Sequence, residues 1–142
     1  MQEILFFTEG VGYPSFFSDN LIRQWLEVIA GHYHKQLGNL SFIFCSDDYI
    51  LDVNKKYLNH DYYTDVITFD YCEGDTLSGD IFISLDTVRS NAEKFDTAYK
   101  NEFHRVVCHS VLHLIGFKDK TEQDSIVMRL NEDTCLELLK TI

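Results

Sequence analysis

The stretch from Val106 to Ile115 constrains this chain more than any other. Val106, Val107, Val111, Leu112, Leu114 and Ile115 place apolar side chains nearly all round one helix. Such a helix is buried, so the other elements must pack around it. Only His109 and His113 stand out chemically. They are four residues apart and share one helix face, one turn apart. Buried polar groups without partners cost a few kcal/mol each. Two arrangements satisfy them: one metal ion shared by both imidazoles, or two core histidines bonded to backbone carbonyls. Gly116 is placed to end the helix, and Asp119 follows six residues after His113, where the chain can swing back under the pair. The pattern is H-x3-H-x5-D. Two nitrogens and one carboxylate oxygen with an open fourth position suit a zinc ion that holds a water. Otherwise Asp119 is a solvated loop residue or a helix cap.

The remaining sequence supplies strands and helices to surround that helix. Ile4-Leu5-Phe6-Phe7, Leu40 to Cys45, Val66 to Phe69 and Gly79 to Ser84 read as strands. Ser18 is placed to cap a helix running to about Lys35, Asp47 one carrying Ile50 to Tyr57, and Asp86 one running to about Phe95. Ala98 to Ile115 is helical, and Thr121 with Asp124 resembles a capping box for a last helix, Glu122 to Leu139. With 142 residues, one proline (Pro14) and no linker or repeat, residues 1–142 read as a single domain. The class is α/β (α+β), with a small sheet of about four strands.

Composition narrows the function. Cys45, Cys72, Cys108 and Cys135 form no CxxC pair, which excludes a zinc ribbon and leaves buried free thiols. No apolar run approaches the roughly 20 residues of a membrane span. The start, MQEILFFTEG, has Glu3 where a secretory signal needs a cation, so a cytoplasmic protein is expected. A net charge of -11 repels phosphate backbones at long range, so a general nucleic-acid coat is excluded. RNA contact then requires a local basic groove or a basic partner.

Three blocks resemble one family. His109-Ser110-Val111-Leu112-His113-Leu114-Ile115-Gly116-Phe117-Lys118-Asp119 resembles the HGxLHLxGYDH signature of the YbeY endoribonucleases. Asn54 to Tyr57, Asp61 and Thr64 to Phe69 resemble its NxxYRxxDxPTDVLSF block, and Gly79 to Ser84 its GDIxIS strand. The resemblance implies a small, mostly parallel four-stranded sheet flanked by helices, with a central buried metal-bearing helix. It also implies a zinc-type site, one Zn2+ per chain, at His109, His113 and the third signature position. The implied activity is metal-dependent, single-strand-specific endoribonuclease action in ribosomal RNA processing, at the 16S 3′ end, and in ribosome quality control. Ribosomal RNA is the implied partner, with ribosomal proteins or an assembly GTPase beside it, and neither DNA nor a membrane.

The departures bear on chemistry. Asp119 stands where the family usually has histidine, which makes the ligand set more anionic and the bound water less acidic. The family arginine after the tyrosine is Leu58, so a phosphate clamp must come from Lys55, Lys56, Arg105 or Lys118. Tyr63 replaces a proline and Ser110 a glycine.

Further roles are read with their alternatives. Arg105, one turn before His109, can stabilise a phosphate, or pair with Glu102 or Asp80. Asp80 can orient a ligand histidine, or end a strand. Thr64 and Asp65 face the site in the family, or cap a strand, and with Lys55 they are the expected substrate contacts. His104 lies nearly opposite His109 on the wheel and is not expected to ligate. Ser110 occupies the general-base glutamate position of zinc peptidases and cannot do that work, which counts against a peptidase. A non-catalytic assembly factor with a structural metal remains the alternative function, favoured by the acidic charge and by Leu58.

Overall fold

In the computed structural model, which describes residues 3–60 and 64–142, the apolar runs form four strands. These are β1 (Ile4–Glu9), β2 (Gln36–Cys45), β3 (Val66–Asp70) and β4 (Thr76–Ser84). They make one sheet in the order β1-β2-β4-β3. β1, β2 and β4 run parallel, and β3 is antiparallel to β4. Parallel neighbours need crossovers. Helix α1 (Asp19–His32) joins β1 to β2, and α2 (Asp47–Leu58) follows β2. Helices α3 (Leu85–Lys94), α4 (Tyr99–Ile115) and α5 (Glu122–Leu139) complete the chain. The mostly parallel four-stranded sheet implied by the resemblance is therefore present. Asp61 and Tyr63 lie outside the described residues.

Strand alternation divides the core in two. Leu77, Ile81 and Ile83 of β4 face α1, α4 and α5, and join Trp25, Ile29, Phe42, Phe44, Phe103, Val107, Val111 and Leu112 in the main core. The opposite face of the sheet carries a smaller cluster, Ile67 with Ile50 and Val53 of α2, flanked by Phe69 and Phe82. Each such fully buried side chain contributes about 1.5–3 kcal/mol relative to exposure. Helix α4 sits at the centre, against α3, α5, β3 and β4. It is not closed all round. A stripe of Arg105, His109 and His113 stays half-buried at its rim, and that stripe becomes the site. Gly79 permits this packing, because a Cβ there would meet the Phe69 carbonyl oxygen and Leu114 Cδ2. The Trp25 indole N–H donates to the Cys135 carbonyl at 2.8 Å and ties α1 to α5.

Two helix caps differ from expectation. Ser46 Oγ, not Asp47, accepts from the Tyr49 N–H at the start of α2, and Ser84 Oγ, not Asp86, accepts from the Thr87 N–H at the start of α3. A serine one or two residues earlier takes the cap, and the acids brace the two helices instead. Asp47 accepts from the Ser84 hydroxyl at 2.6 Å, while Asp86 accepts from the Asp47 N–H at 3.0 Å. Helix α1 stops at His32 rather than Lys35. His34 is left-handed, with φ 59°, and the chain enters β2 at Gln36.

His104 packs edge-on against Trp25, with Phe16 and Phe103 close by. Burial, with the nearby Lys100 charge, pushes its imidazole down to about 4 from 6.5. The folded protein keeps His104 neutral where the unfolded chain already takes a proton. Stability is therefore full above pH 6.5 and declines as pH falls from 6.5 towards 4. His104→Phe is expected to flatten that part of a melting-temperature profile. An unchanged slope in the variant would remove His104 as the cause.

Candidate metal centre

Two elements bring the site together. Helix α4 carries His109 and His113 on its rim. Gly116 ends that helix at φ 125°, a left-handed conformation that side chains rarely adopt. Its N–H donates to the carbonyls of Leu112 and His113, and the Phe117 N–H also reaches the Leu112 carbonyl. The turn carries Asp119 back beneath the two imidazoles. His109 Nε2 lies 3.3 Å and His113 Nε2 3.4 Å from Asp119 Oδ2, and the two Nε2 atoms are 3.0 Å apart. With metal–nitrogen bonds near 2.0–2.1 Å, ligand atoms round a tetrahedral ion are about 3.3 Å apart. The three atoms thus outline one face of a coordination tetrahedron. Among the described residues they are the set of three ligating side chains brought within 4.8 Å of one another.

The other ring nitrogens are committed elsewhere. His113 Nδ1–H donates to the Phe117 carbonyl at 3.0 Å, and His109 Nδ1–H donates to Glu132 Oε2 at 2.6 Å. Both Nε2 atoms are then left with lone pairs pointing at one another. Two facing lone pairs at 3.0 Å need a cation: a proton in the metal-free chain, or a metal ion. The donor set fits a divalent metal.

Glu132 is the residue that sequence reasoning missed. It comes from α5 and is only 6% exposed. Its second oxygen accepts from Arg105 Nη1 at 2.9 Å, and Arg105 Nη2 reaches Asp133 at 2.8 Å. Burial alone would lower the His109 pKa, but the hydrogen bond and charge of Glu132, with Asp119 and Asp65 adding, hold it above its ordinary value. Burial would raise Glu132, yet His109 and Arg105 hold it below the usual carboxylate range. The signal in the sequence was a periodic one. Met128, Glu132 and Cys135 form the buried stripe of α5, and an acid inside such a stripe must be paired.

The other expected residues fall as follows. Arg105 pairs with Glu132 and Asp133, not with Glu102 or Asp80. Asp80 does not orient a histidine. It shares the α2 face of the sheet with Phe69 and Phe82 and accepts from the Tyr71 hydroxyl at 3.3 Å. The orienting carboxylate is Glu132. Asp65 precedes β3, and its charge acts on both His109 and Glu102. The Thr64 hydroxyl donates to the Val66 carbonyl at 3.4 Å beside it. Lys55 is exposed on α2 and does not line the recess at the histidines. That recess, about 290 Å3, is bounded by His109, Asp119, Ser125, Met128, Arg129 and Glu132. Ser110 is turned inward, its hydroxyl bonded to the Val107 carbonyl at 2.6 Å. It stands away from the ligand atoms, which again counts against a peptidase.

Comparison with known proteins agrees with this geometry. A family profile described as Endoribonuclease YbeY matches residues 9–140. A Porphyromonas gingivalis protein named Endoribonuclease YbeY is 47% identical over 99% of this chain and 92% of its own length. The protein of that name from Phocaeicola vulgatus is 52% identical over 93% of this chain and 95% of its own. A Thermotoga maritima protein solved in solution superposes with a TM-score of 0.70 at 28% identity, covering 94% of this chain and 88% of that one. Family profile, full-length relatives, mixed sheet and the histidine pair on the buried helix agree, and the chain belongs to the Endoribonuclease YbeY family.

Proposed function

We propose that this protein is a zinc-dependent, single-strand-specific endoribonuclease that acts in the cytoplasm on ribosomal RNA, at the 16S 3′ end, and in ribosome quality control. The observation that carries the reading is the convergence of His109 Nε2, His113 Nε2 and Asp119 Oδ2 at 3.0–3.4 Å, beside a recess that His109 and Asp119 line. The names of the family's curated members supply the RNA substrate. Among the described residues no helix is long and apolar enough to cross a membrane. Ribosomal proteins or an assembly GTPase are the expected protein partners, since a charge of -11 favours basic protein surfaces.

His109, His113 and Asp119 would hold one Zn2+ per chain. When bound, the ion supplies Lewis acidity, lowering the pKa of a water and polarising a phosphoryl oxygen. Glu132 fixes the tautomer of His109 by accepting its Nδ1–H. Arg105 holds Glu132 charged and in place. With both carboxylates already bound, Arg105 acts as a positioning residue more than as the phosphate clamp. Asp65, whose charge is felt at His109, is assigned to substrate binding, as a carboxylate that accepts a hydrogen bond from the RNA.

Chelation tests the reading. Protein stripped of metal is expected to lose cleavage of single-stranded RNA and regain it with about one equivalent of zinc, leaving duplex RNA intact throughout. Equal cleavage before and after stripping would sink the metallonuclease. Full metal occupancy with no cleavage at all would favour the assembly factor.

A further inference from the structure

A second concavity adjoins the metal recess. It is a groove of about 770 Å3 between α4 and α5, bounded by Phe95, Lys100, Glu102, Arg105, Arg129 and Lys140 among others. Arg129 lines both the recess and the groove, so the two adjoin at that side chain. Four of the chain's 12 Lys and Arg lie here, in a protein of net charge -11. Arg105 is taken up by Glu132 and Asp133, and Lys140 by Glu137. Arg129 and Lys100 make no ion pair among the described residues, and both are exposed.

Glu102 gives the groove a second chemistry. It is 8% exposed, yet lines the groove with no hydrogen bond or ion pair from its side chain among the described residues. No side-chain oxygen is buried without a partner among the described residues, so the Glu102 carboxylate reaches the groove and is open to a donor that a ligand brings. Phe95 stands 61% exposed at the same groove. Among the described residues, two cations without an ion pair, one groove-lining carboxylate and one exposed aromatic ring, with Lys94 Nζ 5.9 Å from its centroid, match the parts of a nucleotide: phosphate, a base edge bearing an amino group, and a stacking surface.

We propose that the α4–α5 groove is a nucleotide subsite that binds the single strand flanking the cleaved bond, with Arg129 and Lys100 on phosphates, Phe95 stacking a base and Glu102 accepting from an amino-bearing edge. The inference rests on the ribonuclease reading. It also supplies phosphate contacts to replace the family arginine missing at Leu58. Glu102 precedes His109 by seven residues of helix, a rise of about 10 Å. At about 3.4 Å per stacked nucleotide, the groove lies roughly three nucleotides from the metal.

The test uses the full chain carrying His113→Ala, to prevent cleavage, and short fluorescein-labelled oligo(C), oligo(A) and oligo(U). Arg129→Ala with Lys100→Ala is expected to raise Kd on the order of tenfold. The slope of log Kobs against log salt should shrink by about 1.4, at 0.7 for each phosphate no longer neutralised. Phe95→Ala should weaken all three oligomers on the order of tenfold. Glu102→Gln should erase a preference of oligo(C) and oligo(A) over oligo(U). Ultraviolet crosslinking of the parent protein should label the peptide containing Phe95, a readout that needs no groove variant to fold. Parent-like Kd and salt slope in the groove variants, or crosslinks confined elsewhere, would overturn the subsite and leave the ribonuclease standing. Failure of the zinc-loaded wild-type chain to bind or cut any single strand would overturn both.

Discussion

His113→Ala is expected to reduce bound metal from about one ion per chain to near none, and RNA cleavage to background, while the helix content stays unchanged. The fold should survive for a physical reason. Helix α4 is held by Phe103, Val107, Val111 and Leu112, all fully buried on its other faces, and alanine is the best helix former. The local loss is the Nδ1–H bond to the Phe117 carbonyl, worth about 1 kcal/mol. That bond also braces the turn carrying Asp119, so two of three ligands are disturbed by one substitution. Metal analysis, circular dichroism and cleavage assays on the same preparation check it. Retention of one metal ion with undiminished cleavage would mean that the site lies elsewhere.

Glu132→Gln should weaken metal affinity by about 10–100-fold, the usual cost of removing a carboxylate that orients a ligand histidine. Glu132→Ala should add a stability loss of about 3 kcal/mol, at the low end for a broken buried pair, because Arg105 keeps Asp133. The metal-free protein offers a separate reading through pH. His109 is raised by its partner, so its contribution is full below pH 6.5 and is lost as pH rises through the raised value. Glu132 is depressed, so its contribution is present above pH 4.5 and is lost as pH falls through its lowered value. Glu132→Gln should return the His109 titration, followed by NMR on stripped protein, towards its ordinary value. A His109 titration unmoved by the variant would show that Glu132 is not the group holding it.

Much of the architecture could be read along the chain because its causes are local. Ser18, the Thr121–Asp124 capping box and Gly116 act within one helical turn, and each does what its residue type predicts. The two misassigned caps are local errors of one or two residues, where a serine preceded the acid. The candidate ligand cluster could be read along the chain for the same reason. His109 and His113 are one turn apart on one helix, and a three-residue hop beyond Gly116 places Asp119 beside them.

Residues that meet across the fold were another matter. Asp80 and Glu132 are both acids within ordinary elements, and spacing alone cannot say which one reaches His109. Strand parity sends Asp80 to the α2 face of the sheet. The packing of α5 on α4 brings Glu132 to 2.6 Å from His109 across 23 residues of chain. The same packing takes Arg105 away from Glu102 and Asp80, and leaves Glu102 facing the groove. The sequence by itself determined the buried helix, its two histidines, the returning aspartate and the sheet class, since periodicity and turn chemistry act over a few residues. The tertiary structure alone decided which carboxylate reaches His109, which cations pair with which acids among the described residues and where the groove runs, because those depend on the face each element turns towards its neighbours.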